Sequence, residues 1–482
     1  MVTTAGNEKS DKLKTAKDDD FFEWYNDIVI KANLCDNRYP IKGMNVWTPY
    51  GWKLMRQIDA FIRREMDATD HEEVCFPLLI PETEFKKEKD HIKGFDEEVY
   101  WVTHAGLNPL DIRLVVRPTS ETAMYPMFSL WVRSHQDLPL KIFQIVNTFR
   151  YETKQTRAFM RVREIHFFES HTCHADREDA ERQVKQDIEI VDAVCRELCI
   201  PHSFFIRTDW DKFPGAFYTV GIDTIMPDGR TLQIGSAHYY STNFSKPYNI
   251  TYEKENGEHE YVHQTTLGMT ERLLGAVVGI HGDNSGLVLP PAIAPVQAVI
   301  IPIFKKDNEA EVMQVCRAAE AALASAGIRA KLDDSDGRPG AKFYVWELKG
   351  VPLRLEIGGK DIENGVATFA RRDTGAKGTV ELESIGQGVR MMLDIIASDM
   401  MKSAEEKQKG FIDDFSDMSA ESIPEGRIVR IGWCGSPECG HKFEDKYDMK
   451  ILGTPYRPEE WKGRCVCCGK EGCGPAYAAR TL

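Results

Sequence analysis

Between positions 49 and 67, apolar residues recur at Leu54, Ile58, Phe61, Ile62 and Met66, the spacing of one helical face. An extended apolar segment, Val74 to Ile80, follows and contains Pro77. Strand-like runs then come in series at Val99–Val102, Arg113–Arg117, Lys141–Val146 and Ile165–Phe168. The stretch Asp176–Leu198 sets Val184, Ile188, Val191, Cys195 and Leu198 on one stripe and predicts a second amphipathic helix. Phe217–Ile225 and Arg230–Gly235 flank Pro227-Asp228-Gly229, a strong hairpin signal. Strands in series with helices inserted predict an antiparallel sheet in an α+β domain, with boundaries at 21–292.

The pattern changes after Leu289-Pro290-Pro291. Val296–Ile303 reads as a β-branched strand, Asp307–Ala326 as a helix ending at Gly327, and Ile328–Leu332 as a second strand. A helix near Phe343–Lys349, strands at Leu353–Ile357 and Gly365–Arg371, and a long helix from Ser384 to about Lys402 complete an alternating pattern. Such alternation predicts a separate α/β domain over 293–402. The charged run 403–425 reads as a connector, 426–482 as a small third unit, and the polar stretch 1–20 as a disordered leader.

Composition narrows the class. At 482 residues the chain exceeds a single core, and 42% hydrophobic content is that of a globular protein. No run approaches the roughly 20 apolar residues of a membrane span, and the first residues hold no apolar signal core. A cytoplasmic protein with no membrane partner is expected. The net charge of −14 argues against indiscriminate nucleic-acid binding but leaves room for an RNA reached through local basic patches.

Six of the twelve cysteines lie between Cys434 and Cys473. The pairs Cys434-x4-Cys439 and Cys465-x2-Cys468, each beside glycines, suit a tetrahedral all-cysteine zinc site, with Cys467 or Cys473 as alternatives in the second pair. A closed site of that kind would stabilise a unit too small to fold on its own core.

The strongest chemical signal is Phe149-Arg150-Tyr151-Glu152, followed by Arg161-Val162-Arg163-Glu164. An arginine and a carboxylate two apart on a strand point the same way, so they can clamp a phosphate and orient a polar base together. Gly268-Met269-Thr270-Glu271-Arg272-Leu273 adds a glycine ahead of a helix with an arginine in its first turns, which suits a phosphate against the helix start.

These segments resemble the class II aminoacyl-tRNA synthetases. Phe149–Glu152 is similar to motif 2 of that class, Thr270–Arg272 to the arginine end of motif 3, and the 49–67 helix running into Phe76-Pro77 to motif 1, whose proline sits at the family's dimer interface. Within the class, Arg117-Pro118-Thr119-Ser120-Glu121-Thr122 resembles the Thr-x-Glu loop of the prolyl enzymes, where a hydroxyl and a carboxylate receive a secondary ammonium with two N–H donors. Phe167-Phe168-Glu169-Ser170-His171 resembles their Trp-Gln-Glu-Gly-His pocket segment, with Phe167 for tryptophan and Ser170 for glycine. Gln233-Ile234-Gly235-Ser236-Ala237-His238 is similar to their nucleotide and proline strand.

The resemblance implies an α+β fold: a class II antiparallel-sheet catalytic domain, an α/β anticodon-binding domain and a small zinc-binding C-terminal α+β domain, as in the archaeal and eukaryotic-like branch. It implies ATP-dependent ligation of L-proline to tRNA(Pro) through prolyl-adenylate, by a homodimer, with Mg2+ accompanying ATP and a structural Zn2+. Arg150, Glu152 and Arg272 would be catalytic. Thr119, Glu121, Arg150, Phe167, Glu169, His171 and His238 would bind proline, and Arg150, Glu152, Arg161, Gln233, Ser236, Thr270 and Arg272 would bind ATP. Glu347, Lys349, Arg354 and Lys360 are candidates for anticodon contacts, Lys360 standing where the family often has arginine.

Arg150 and Arg272 are 122 positions apart, a distance filled by strands and one helix, so no large editing insertion fits between them. A small apolar pocket separates similar side chains by only about 1–3 kcal/mol, so activation of cysteine or alanine is expected. A threonyl enzyme would need a catalytic zinc, for which no cysteine sits suitably in the strands. A silent tRNA-binding relative would have lost some of Arg150, Glu152, Arg272, Thr119 and Glu121, and all five are present.

Overall fold

The helix Pro49–Asp67 forms where the periodicity places it: Thr48 caps its first turn, Pro49 occupies the first helical position, and Leu54, Ile58, Ile62 and Met66 are buried. With the helices Arg177–Glu197 and Arg272–His281 it covers one face of a large sheet. The computed structural model describes residues 13–87 and 97–482.

That sheet holds eleven strands among the described residues. Its centre is antiparallel and runs, in lateral order, Ser203–Ile206, Tyr218–Ile225, Thr231–Ser241, His263–Thr270, Glu164–His174 and Leu140–Phe149. The strands on either side of Pro227-Asp228-Gly229 form the expected hairpin, with Gly229 at φ +75° in the turn. One face presents Phe143, Phe168, Leu267, Met269 and Ala237 to the main apolar core. The helix Glu121–Trp131 packs over part of the other face, through Tyr125 and Phe128.

The sheet does not stop at the N-terminal unit. Strand Lys450–Pro455 pairs with Ser203–Ile206 through Thr454 opposite Ile206 and Pro455 opposite Phe205. The strands Gly474–Ala479, Ile428–Trp433 and Ile412–Phe415 continue outward. The C-terminal unit, read from the sequence as a small third unit, thus extends the large sheet, because the otherwise open edge at 203–206 finds backbone partners there.

Between them in sequence lies a five-stranded sheet, ordered Ala330–Leu332, Ala298–Ile303, Leu353–Gly358, Val366–Arg371 and Lys377–Glu381, packed by the helices Glu309–Ser325 and Ile385–Lys409. Its first three strands are parallel and the last two antiparallel.

Two boundary expectations change. The 385–409 helix runs past 402, and the supposed connector supplies strand Ile412–Phe415, paired with Ile428–Trp433. Residues 13–20, read as part of a disordered leader, lie on the N-terminal unit, while the leader's first twelve residues fall outside those described. The Lys17 ammonium donates to the carbonyls of Ile280 and Gly282 at 3.2 and 2.6 Å, and Asp20 caps the helix Phe21–Lys31. Those carbonyls end the 272–281 helix and have no partner within it, which is why a lysine from a polar segment seats there.

Candidate active site

The strand register brings distant residues into lateral rows on the open face of the sheet. Gln144, Glu169, Gly268 and Ser236 are cross-strand neighbours, as are His171, Thr266, His238 and Thr219 two residues along. Phe167 stands opposite Thr270 in the row on the other side. Period-two alternation puts all three rows on one face. Above them is a cavity of about 350 Å³.

One end of the cavity is cationic. Arg150, Arg161 and Arg272 all line it. Arg272 is held by its Nε to the carbonyl of Met160 (2.8 Å) and by Nη1 to that of Gln233 (3.0 Å), and the Nε of Arg150 donates to the carbonyl of Pro118 at 3.2 Å. Burial, and then the neighbouring Arg161 and Arg150, push the Arg272 guanidinium down to about 10. Three guanidiniums that repel one another around a single hollow are arranged for a polyanion. Glu152 accepts Nη1 of Arg161 at 3.0 Å and the amide of Lys154 at 2.9 Å. Burial would raise its carboxyl, but these contacts hold it below the usual carboxylate value.

Arg150 and Glu152 do not lie on a strand. The strand ends at Phe149, and the next three residues are held by loop bonds from Arg150 N to Arg163 O (3.0 Å), Tyr151 N to Glu98 O (2.7 Å) and Glu152 N to Arg150 O (2.8 Å). Gly268 likewise sits inside strand His263–Thr270, four positions before the first helical residue Arg272, rather than at the helix start. A Cβ there would lie 3.1 Å from Cζ of Phe167, so the glycine leaves room for that ring.

The other end is a small recess with fixed acceptors. The Glu121 carboxylate, at the start of helix Glu121–Trp131, accepts the hydroxyls of Thr119 (2.5 Å) and Tyr240 (2.7 Å). Glu169 accepts the Ser120 hydroxyl, the Ser120 amide at 3.2 Å and Nε2 of Gln144 at 2.8 Å. His238 contacts Thr219 Oγ1 through Nδ1 (2.9 Å) and Ser236 Oγ through Nε2 (3.0 Å), and burial pushes it down to about 4, so the ring is neutral. Phe213 covers it at a ring separation of 4.6 Å.

Thr119, Glu121, Arg150, Glu152, Arg161, Phe167, Glu169, Gln233, Ser236, His238, Thr270 and Arg272 thus all line one cavity. His171 does not reach it. Tyr125 packs over that ring, and His171 stands behind Glu169, with Nε2 3.2 Å from its carboxylate. Sequence reasoning missed Glu98, Thr266 and the group Arg207, Asp211, Lys212 and Phe213. Only the turn composition of Asp211-Lys212-Phe213-Pro214-Gly215 marked that last stretch.

The anticodon candidates sit on the five-stranded unit. Arg354 lies 3.9 Å over the Phe343 ring and 3.0 Å from Glu356, while Lys360 is exposed on the short helix Gly359–Glu363. Glu347 and Lys349 end the helix Pro339–Leu348, and the Tyr50 hydroxyl donates to the carbonyl of Lys349 at 2.8 Å. Lys349 therefore borders the junction with the N-terminal unit.

In the C-terminal unit the sulfurs of Cys434, Cys439, Cys465 and Cys468 all lie within 4.8 Å of one another, with Cys434 and Cys468 3.8 Å apart. Ligands about 2.3 Å from a tetrahedral zinc are about 3.8 Å apart, so the set fits that ion. Burial raises the Cys465 thiol, but the backbone amides of Cys468, Cys467 and Cys434 outweigh it and bring it down to about 7. Cys467 and Cys473 turn away, to the carbonyls of Cys439 and Gly463.

Residues 100–281 match the family model for the tRNA synthetase class II core domain (G, H, P, S and T), 297–391 an anticodon binding domain, and 417–482 the prolyl-tRNA synthetase C-terminal domain. Sheet, cavity and appended units are those of a class II aminoacyl-tRNA synthetase. The chain is 56% identical over 471 residues to the proline--tRNA ligase of Thermococcus kodakarensis, covering 96% of this chain and 98% of that one. It is 51% identical over 465 residues to that of Methanosarcina mazei, covering 96% and 97%. The prolyl-tRNA synthetase of Giardia lamblia in complex with prolyl-adenylate superposes with a TM-score of 0.93 at 36% identity, over 98% of this chain and 100% of that one. That of Cryptosporidium parvum, complexed with halofuginone and AMPPNP, gives 0.92 at 32%, again over 98% and 100%. The chain belongs to the prolyl-tRNA synthetase family.

Proposed function

We propose that this chain activates L-proline with ATP and transfers it to the terminal ribose of tRNA(Pro). The observation that carries the reading is one cavity with three converging arginines at one end and the Thr119–Glu121 acceptor pair at the other. The cationic end suits the triphosphate. Arg150, between the two ends, is suited to bridge the α-phosphate and the substrate carboxylate, Arg161 and Arg272 take the outer phosphates, and Glu152 takes the adenine edge. Gln233, Ser236 and Thr270 complete the nucleotide side, and Mg2+ would accompany the ATP and offset its phosphate charge.

Glu121 and Thr119 receive the ring ammonium, with Phe167 as the apolar wall, Glu169 and His238 beside it, and His171 holding Glu169 from behind. No protein nucleophile is needed. The proline carboxylate attacks the α-phosphorus and pyrophosphate leaves; the ribose hydroxyl then attacks the adenylate carbonyl, gives up its proton, and AMP leaves as the acyl–phosphate bond breaks. The protein supplies alignment and charge stabilisation.

Glu347, Lys349, Arg354 and Lys360 are proposed anticodon contacts, the stacked Arg354 being best suited to a base edge. Zn2+ in the four-cysteine cluster would act as a structural ion. A homodimer is supported by the exposed apolar side chains Leu78, Leu79, Met127, Leu130 and Trp131 about the Phe76-Pro77 segment. No helix among the described residues is long and apolar enough to cross a membrane, and we place the enzyme with its tRNA in the cytoplasm.

The test is amino-acid-dependent ATP–pyrophosphate exchange across all twenty amino acids, with Arg150→Ala as control. Exchange dependent on proline and lost in the variant is expected. Exchange with another amino acid alone would overturn the pocket assignment.

A further inference from the structure

The wall of the cavity nearest the C-terminal unit is the loop Arg207–Phe217, and its side chains join two parts of the molecule. Toward the cavity it offers Arg207, Asp211, Lys212 and Phe213. The amide of Phe213 donates to Thr219 Oγ1 at 2.9 Å, the oxygen that also holds Nδ1 of His238, while the Phe213 ring covers that imidazole. Away from the cavity, Trp210 faces the helix Pro437–Tyr447, which carries Cys439. Its indole N–H donates to Glu444 Oε1 at 3.3 Å, its ring lies 4.4 Å from that of His441, and it meets Trp433 edge-on at 5.9 Å. A Cβ on Gly440 would fall 2.5 Å from the indole, so the contact is made at backbone range. Arg207 completes the tie by donating Nη1 to the carbonyl of Leu452 at 2.8 Å.

We propose that Trp210 is a positioning residue for the amino-acid pocket. It locks the 207–217 loop to the four-cysteine unit and so fixes Phe213 over His238. The metal-binding unit then does more than stabilise its own fold: it supplies the rigid ground on which one wall of the pocket stands. Displacement of such a wall by about 1 Å costs on the order of 100-fold in rate when it misaligns the reacting groups. The nucleotide end rests on the loops about Arg150 and Arg161 and on Arg272, outside this loop, so the two substrates respond differently. The proposal rests on reading the recess beside Glu121 as the proline site.

The experiment uses the full-length, metal-loaded chain and the variants Trp210→Ala, Trp210→Phe and His441→Ala. In exchange assays, Trp210→Ala is expected to raise the proline KM about tenfold or more while the ATP KM moves less than about threefold. By hydrogen–deuterium exchange, amides of 207–217 should open about tenfold faster, with the 164–174 and 263–270 strands unchanged. Trp210→Phe loses the indole N–H but keeps an aromatic ring against His441 and Gly440, and recovers most of the proline KM. Chelating the metal from the wild type speeds exchange in the same loop but adds little to Trp210→Ala.

Folded Trp210→Ala with unaltered loop exchange, or with a loosened loop and an unaltered proline KM, overturns the proposal. Should that variant not fold, His441→Ala decides: it removes only a half-exposed ring, and it must raise both the proline KM and loop exchange. If the wild type activates no proline at all, the functional reading fails, and the loop exchange on Trp210→Ala and on metal removal still decides the tie.

Discussion

Glu121→Gln isolates the charge proposed to select the substrate. The side chain is 2% exposed, sits at the first position of helix 121–131, and is held by the Thr119 and Tyr240 hydroxyls. Glutamine keeps its length and shape, and both hydroxyls can rotate to serve its amide, so the local structure survives. What goes is the carboxylate facing a secondary ammonium. A hydrogen bond to a charged group contributes about 1.5–3 kcal/mol, and each 1.4 kcal/mol is a factor of ten. The expected fall in kcat/KM for proline is therefore about 10- to 150-fold, carried mainly by KM, with the ATP KM within about twofold of wild type. Proline-dependent ATP–pyrophosphate exchange with both substrates titrated measures it. A proline KM within about twofold of wild type, in a protein with an unshifted melting curve, would refute the assignment of Glu121 as the ammonium acceptor.

Three further outcomes are expected. Asp187 is fully buried, and burial raises its carboxyl from 3.8 to about 7 against the opposing pull of Gln183 and Lys141. The folded chain thus keeps a proton that the unfolded chain gives up, and stability present below about pH 4 is lost as pH rises to about 7. Asp187→Asn, which does not titrate, should gain about 4 kcal/mol on the wild type between those limits in urea unfolding, and a pH-independent difference would count against it. Cys468→Ser leaves three sulfur ligands, so zinc measured by mass spectrometry should fall from about one per chain to well under half, whereas Cys473→Ser should keep the full amount. The recess walled by Phe167 should form adenylate with cysteine or alanine at saturating concentration, and exchange with neither would contradict a pocket that selects by a small apolar contact.

Much of the cavity was legible because its residues lie in short segments with chemistry of their own, and the sheet register then juxtaposes segments more than a hundred residues apart. Helix 49–67 was legible from one apolar stripe, and the 218–225 and 231–241 hairpin from Pro227-Asp228-Gly229. Other features carry no local signal. Helix 121–131 contains Pro126 and is apolar nearly all round, so it lacks an amphipathic period. The pairing of Thr454 with Ile206 joins strands some 250 residues apart through backbone groups alone, which no side-chain pattern reports. Lys17 looks like any solvated lysine until the end of helix 272–281 is seen beneath it. His171 sits in period with Phe167 and Glu169, and only the packing of Tyr125 takes it out of the cavity.

The central claim is that this cavity joins proline to tRNA. Its most direct test is attachment of radiolabelled L-proline to a tRNA(Pro) transcript in the presence of ATP and Mg2+. Acid-precipitable prolyl-tRNA is expected, abolished by Arg150→Ala and by oxidation of the terminal ribose. Zinc-loaded, folded protein that charges no tRNA(Pro), or charges it equally after the Arg150 substitution, would contradict it.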